Sequence, residues 1–151
     1  MKVTVLLRND HEALQRLFDQ FKKPNARNLN GKKELFNEIR REILIHSQME
    51  SEIFYPALAG TSSVRATELV TAAQQDHNQV EQMLEELKTM NGTDKNFEAQ
   101  MNVLMEEVER HVRLEEEDIF DEARKNLPEF RLEELGIEIE DRRKILLTLA
   151  A

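Results

Sequence analysis

His46-Ser47-Gln48-Met49-Glu50 and His111-Val112-Arg113-Leu114-Glu115 are two copies of one pattern, a histidine followed four residues later by a glutamate. On an α-helix that spacing puts imidazole and carboxylate on one face, about 6 Å apart along the axis. The flanking residues ask for such a helix. Leu35, Ile39 and Ile43 lead into the first copy, and Ile53 and Ala57 continue it. Phe97, Met101, Leu104 and Val108 lead into the second, with Ile119 beyond it. Steps of three and four make each run an apolar stripe, so every histidine and glutamate of the pattern stands where a core residue is expected.

Upstream of each copy lies another stripe carrying one histidine. Between about Thr4 and Lys22 it reads Leu7, His11, Leu14, Phe18 and Phe21; after the helix-start signal Thr61-Ser62-Ser63 it reads Val70, Ala73, His77, Val80, Leu84 and Leu87. These two stripes superpose at an offset of 66 residues, Asp10-His11 falling on Asp76-His77, and the His-to-Glu copies superpose at an offset of 65. His11 precedes His46 by 35 residues and His77 precedes His111 by 34. Two pseudo-symmetric helical hairpins meet that requirement, with the four imidazoles at one level.

A loop with Pro24, Asn25, Asn28, Asn30 and Gly31 separates the first two stripes. The second ends near Gly60, the third at Asn91-Gly92, and the fourth runs from about Lys95 to Asn126. Past Pro128, the residues Leu132, Leu135, Ile139 and Ile145-Leu146-Leu147 mark a fifth helix. The expected fold is all-α: an up-down-up-down four-helix bundle over residues 1–127, with an additional C-terminal helix over 128–151 that packs on the bundle or on a partner.

Composition narrows the chemistry. At 151 residues one domain is expected, and 34% charged residues with four glycines and three prolines suit long helices. A net charge of −9 without a basic cluster speaks against a nucleic-acid surface. The absence of cysteine removes disulfides, thiolate zinc and iron–sulfur clusters, leaving histidine and carboxylate as metal donors. Met1–Leu7 is too short, and too soon followed by Arg8, Asp10 and His11, for a signal peptide or membrane span, so a cytoplasmic location is expected.

All four histidines and two glutamates thus share the apolar stripes: His11, His46, Glu50, His77, His111 and Glu115. Burying an ionised carboxylate alone costs several kcal/mol and an unpaired imidazole about 1–3 kcal/mol. Two cations bridged by the two glutamates convert six such costs into a cross-link among four helices. His11 and His46 are assigned to one ion, His77 and His111 to the other. Imidazole and carboxylate without thiolate suit iron, with manganese or zinc able to substitute. With an oxo or hydroxo bridge, ten of the twelve positions of an octahedral pair are filled, leaving about two for water or a small ligand. Asp10 and Asp76 are candidates to accept a hydrogen bond from a ligand's second ring nitrogen, or else are solvated. Glu81, Glu116 and Glu117 read as a solvated acidic face, Met49, Met83, Met101 and Met105 as core filler. Tyr55, the single tyrosine, follows the ligand turn by one helical turn and reads as core packing, with a site-facing position as the alternative.

Three segments carry a family resemblance: Leu6-Leu7-Arg8-Asn9-Asp10-His11, His46 through Leu58, and His111 through Phe120. The chain resembles bacterial hemerythrin-like domains, named for their His-His-Glu cation-binding motif. That likeness implies a left-handed four-helix bundle with a non-haem di-iron centre, ligated by the six residues above and reacting with dioxygen, peroxide, nitric oxide or iron itself. Two positions depart from the pattern. Oxygen-carrying hemerythrins place a fifth histidine where this chain has Ala73, which puts reversible oxygen carriage in doubt, and Asp121 stands where the family often has a proline like Pro56. The functional expectation is a di-iron protein that binds or consumes small oxidants (oxygen, peroxide, nitric oxide) in oxidative or nitrosative stress or in iron handling. A non-enzymatic iron or oxygen sensor or interaction module whose fold depends on metal is the alternative, and a metal-free helical scaffold a third. No catalytic residue is assigned, and the oligomeric state is left open.

Overall fold

In the computed structural model, residues 1–23 and 29–150 are described. Five helical rods account for almost all of them. The first is α1 (Val3–Lys22); the second joins α2 (Leu29–Met49), a π-helical turn (Glu50–Phe54) and α3 (Tyr55–Ala59). The third is α4 (Val64–Lys88), and the fourth joins α5 (Lys95–Leu114), a second π turn (Glu115–Ile119) and α6 (Phe120–Asn126). The fifth is α7 (Glu129–Ala150). Pro24, Asn25 and Asn28 of the expected loop lie outside the described residues. Asn30 and Gly31 do not belong to that loop, because α2 already begins at Leu29.

Local chemistry explains the boundaries. Ser63 accepts the backbone N–H of Ala66 and Asp94 that of Asn96, capping the starts of α4 and α5. At the far end of α4, the Lys33 ammonium donates to the carbonyls of Leu87, Lys88 and Met90 at 2.9, 3.1 and 2.6 Å, a cation placed where the helix dipole is negative.

The core is in two parts. Leu14, Phe18, Phe21, Leu35, Ile39, Leu84, Phe97 and Met101 belong to one apolar cluster. Leu7, Met49, Phe54, Tyr55, Ala73, Phe120, Leu135 and Ile139 belong to the other. On each bundle rod the chain crosses from one cluster to the other through the six predicted polar residues: His11 lies between Leu7 and Leu14, His77 between Ala73 and Val80, His111 and Glu115 between Val108 and Ile119. A polar layer therefore divides the bundle.

The second rod departs from the predicted stripe after Glu50. Ile53 and Ala57 are half-buried, while Phe54, Tyr55 and Leu58 take the core positions. The π turn is the cause: Tyr55 N–H bonds to the carbonyl of Glu50, five residues back, and Phe120 N–H does the same to Glu115. Each widened turn moves the inward face one residue along the chain.

The fifth helix packs on α1 and on the second rod. Leu132, Leu135, Ile139 and Leu146 are buried in the cluster that holds Tyr55 and Phe120, and Arg142 grips the Glu52 carboxylate at 2.7 and 3.2 Å. Gly136 lets the start of the chain lie against α7, since a Cβ there would fall 1.9 Å from the Met1 carbonyl oxygen. Replacing Gly136 by alanine is therefore expected to lower stability by about 1–3 kcal/mol, an overpacking cost, read as a reduced midpoint in urea unfolding with an unchanged slope.

Candidate metal centre

Two rods meet from each side to build the centre. His11 on α1 faces His46 on α2, their Nε2 atoms 3.2 Å apart; His77 on α4 faces His111 on α5, at 3.3 Å. Glu50 and Glu115 lie between the pairs, both fully buried. Glu50 Oε1 is 3.3 Å from His46 Nε2 and 3.1 Å from His77 Nε2, thus touching both halves. Glu115 Oε1 is 3.1 Å from His11 Nε2, and its Oε2 is 3.5 Å from His111 Nε2. The structure brings all six sequence-predicted residues together, in two overlapping groups: His11, His46, Glu50 and Glu115, and Glu50, His77 and His111, each with its donor atoms within 4.8 Å of one another.

The outer nitrogens explain why the inner ones converge. His46 Nδ1–H donates to Asp10 Oδ2 at 2.9 Å, His111 Nδ1–H to Asp76 Oδ2 at 3.3 Å, and His11 Nδ1–H to Glu116 Oε2 at 2.7 Å. Each such bond fixes the tautomer with the proton outside and the Nε2 lone pair inside. Asp10 and Asp76 thus take the histidine-orienting role foreseen for them. Glu116 corrects the expectation of a solvated face, because the π turn that starts at Glu115 swings it toward the back of His11. For His77 the corresponding Nδ1 is buried with no hydrogen-bond partner among the described residues.

Tyr55 is packed in the core and turned to the site at once, so the two readings offered for it hold together. Its hydroxyl donates to Glu115 Oε2 at 2.5 Å and stands 3.4 and 3.5 Å from the Nε2 atoms of His77 and His111. In an unbroken α-helix a residue five positions after Glu50 would point about 140° away from it; the π turn carries the phenol back into the polar layer. Phe120, the counterpart of Tyr55 in the other half, instead stacks on His11, ring centroids 6.0 Å apart and planes 4° from parallel. Ala73, where the resemblance anticipates a fifth histidine in oxygen carriers, is fully buried in the same apolar cluster as Tyr55. The signal for Tyr55 was there in the sequence, in the alignment of Glu50 and Tyr55 with Glu115 and Phe120, but no residue type announces a π turn.

Electrostatics show what the layer lacks. Both oxygens of Glu50 and Oε1 of Glu115 are buried without a hydrogen-bond donor among the described residues. Burial opposes charge on the His46 ring, yet Glu50, Asp10 and Glu115 together hold its pKa well above the ordinary value. Against the same burial, Glu115, Glu50 and Asp76 lift His111 to about 9. Burial also acts against the charge on Glu115, but the groups around it hold it well below the usual carboxylate range. For Tyr55, burial and the carboxylates of Glu115 and Glu50 all act in one direction and keep the phenol protonated. An acidic pocket ringed by four imidazoles whose Nε2 atoms face inward is a cation site: the residues present fit a pair of ions held by nitrogen and oxygen.

Fold and site together define a helical bundle that binds cations through histidine and glutamate. Residues 3–123 match the hemerythrin HHE cation-binding domain, and the chain belongs to that family. Among solved structures it is similar to a hemerythrin HHE cation-binding domain-containing protein, the Rv2633c homolog from Mycobacterium kansasii, with a TM-score of 0.82 and 25% identity over 97% of this chain and 87% of that one. It is also 25% identical over 138 residues to a protein of Nostoc sp. (strain PCC 7120) described as a DNA nickase. That match takes in 91% of this chain but only 38% of the Nostoc protein.

Raised histidine pKa values have a definite sign. In metal-free protein the imidazolium charges stabilise the fold fully below the unfolded value near about 6.5, and that contribution is lost as pH rises through about 9 for His111. Thermal midpoints of chelator-treated protein are expected to fall between neutrality and that pH. Cation binding displaces the same protons, so adding metal near neutral pH in weak buffer should acidify the solution, as an indicator dye would read.

Proposed function

We propose that the protein is a non-haem di-iron protein that binds and reacts with small oxidants such as dioxygen, peroxide or nitric oxide, in defence against oxidative or nitrosative stress or in iron handling. In this reading His11 and His46 would hold one ion, His77 and His111 the other, and Glu50 and Glu115 would serve both. The observation that carries it is the set of three buried carboxylate oxygens, without a donor among the described residues, at the meeting point of four inward-turned imidazoles. Iron is preferred because the donors are imidazole and carboxylate without thiolate; manganese or zinc could occupy the same positions. Such a pair supplies one-electron redox changes to a small oxidant. The remaining work belongs to the chain.

That work is to admit, confine and protonate. A cavity of about 30 Å³ lies against the four imidazoles, walled by Leu14, Ile43, Val80 and Val108. It has room for a water-sized molecule and little more, which favours di- and triatomic ligands and hydrogen peroxide over organic substrates. On the opposite side Tyr55 keeps a proton at its hydroxyl, hydrogen-bonded to Glu115 and close to the His77 and His111 rings. It can hand that proton to an anion formed at this half. The Asp10, Asp76 and Glu116 carboxylates keep the imidazoles oriented and raise their donor strength.

A non-enzymatic iron sensor whose fold depends on metal is the second reading. It is favoured by the continuity of the polar layer with both apolar clusters, so that emptying the centre would loosen the whole bundle. Nucleic-acid cleavage, as in the description of the Nostoc protein, is not proposed, because a net charge of −9 disfavours a phosphate-binding surface.

Anaerobic reconstitution with ferrous iron, followed by elemental analysis and then by exposure to oxygen and peroxide, tests the main reading. Two ions per chain are expected, with a near-ultraviolet absorption that changes on adding peroxide or azide. Glu115→Gln should bring retained iron below two ions. Tyr55→Phe should retain both ions while slowing the optical response to peroxide by about 100-fold or more, the scale of one lost proton donor. Unchanged peroxide kinetics in that variant would remove the phenol from the scheme, and zero bound iron in the wild-type protein would end the di-iron reading.

A further inference from the structure

The carboxylates behind the imidazoles are themselves held, and not by equivalent groups. In the second half, Arg110 Nη2 donates to Asp76 Oδ1 at 2.9 Å, and the arginine comes from α5, next to His111 itself. Its side chain is 48% exposed. The repeat maps Arg110 onto Ile45, which is buried in the apolar cluster shared with α7. The first half therefore has no arginine of its own at this point. Arg143 of α7 replaces it, with Nη2 at 2.7 Å from both Asp10 oxygens, and Asp10 Oδ2 in turn accepts the His46 Nδ1 proton at 2.9 Å. This pair is drier, Arg143 being 26% and Asp10 13% exposed. One exchange, an arginine for a buried isoleucine, both opens an apolar seat for α7 and leaves a carboxylate that α7 must complete.

We propose that Arg143 is a positioning residue of the metal centre: by gripping Asp10 it holds the His46 ring with Nε2 aimed inward, so that docking of α7 and retention of the ion at the His11 and His46 half are one linked equilibrium. The proposal rests on the two-ion reading above. The physical chain is short. Without the guanidinium, Asp10 is free to turn toward solvent and the His46 ring loses the bond that fixes its tautomer and angle. Loss of an outer hydrogen-bonding partner of a ligating histidine costs about 10–100-fold in metal affinity. Linkage is reciprocal, so an ion at this half must also strengthen α7 docking by the same factor. The fifth helix is thereby part of the centre of a bundle whose ligands all come from the other four rods.

The full chain, loaded anaerobically with ferrous iron and titrated with a ferrous chelator, tests this. Wild type is expected to hold two ions; Arg143→Ala should give up one of them at about 10–100-fold lower chelator, leaving the other unaffected. Arg143→Lys, which restores the charge without the planar guanidinium, should fall between. In a His77→Ala background, which removes a ligand of the second half, Arg143→Ala should strip the remaining ion readily; in a His11→Ala background it should change nothing. Hydrogen exchange gives a readout independent of reactivity: amides of residues 132–146 should exchange more slowly in the iron-loaded than in the iron-free wild type, and that difference should vanish in Arg143→Ala. Equal chelator resistance in folded Arg143→Ala and wild type would overturn the proposal while leaving the two-ion reading intact. Failure of the wild type to bind two ions would overturn both. If Arg143→Ala does not fold, Arg143→Lys takes its place: one ion lost at lower chelator than in wild type supports the link, and equal resistance defeats it.

Discussion

Two buried glutamates, three of whose four carboxylate oxygens have no hydrogen-bond donor among the described residues, sit at the middle of this bundle, and the rest of the structure is arranged around that constraint. Glu50 and Glu115 are fully buried, and a buried, unpaired carboxylate is among the most expensive groups a protein can carry. Positive charge must be present, as protons on imidazoles or as metal ions. The neighbouring histidines are able to supply it either way, which is why His46 and His111 hold protons so far above the ordinary range. A site that binds protons tightly when free of metal is one whose ligands are preorganised for a cation.

Preorganisation extends outward in shells that are not symmetric. Three of the four imidazoles are backed by a carboxylate, and each of those carboxylates has an arginine beside it: Glu116 has Arg8 at 3.5 Å, Asp76 has Arg110, and Asp10 has Arg143. His77 has no such backing among the described residues. Tyr55 offers a hydroxyl to the His77 and His111 half, while Phe120 covers His11 with a phenyl ring. A duplicated hairpin has thus been differentiated at the same few positions into one half closed by an aromatic face and held from outside, and another that keeps a polar group in the layer. Two such halves present an incoming small molecule with different neighbours.

The π turns connect these features. They begin at the two central glutamates and end just before Tyr55 and Phe120, so the same backbone irregularity that sets each carboxylate also delivers the residue that distinguishes its half. An i→i+5 turn has poorer packing than an α turn and persists where surrounding contacts over-determine it. Here the clusters on either side of the polar layer and the fifth helix supply those contacts. Arg142 adds a direct clamp on Glu52, inside the first π turn.

Much of this was legible in the residues alone. Spacing of three and four produced the helices, because side-chain burial on a helix repeats every turn; the internal repeat produced the pairing of hairpins; and six polar residues on apolar stripes pointed to a shared cation site before any coordinates. What periodicity could not carry is whatever breaks periodicity. A π turn leaves no mark in composition, so spacing alone could neither choose between a core and a site-facing Tyr55 nor bring Glu116 to His11. Arg143 was hidden for a different reason: its partner lies 133 residues earlier in the chain, and the contact exists only once α7 has folded back over α1. Short-range spacing determined which side chains face inward, whereas backbone irregularity and long-range docking, which only the tertiary structure decides, settled which of them reach the ligands.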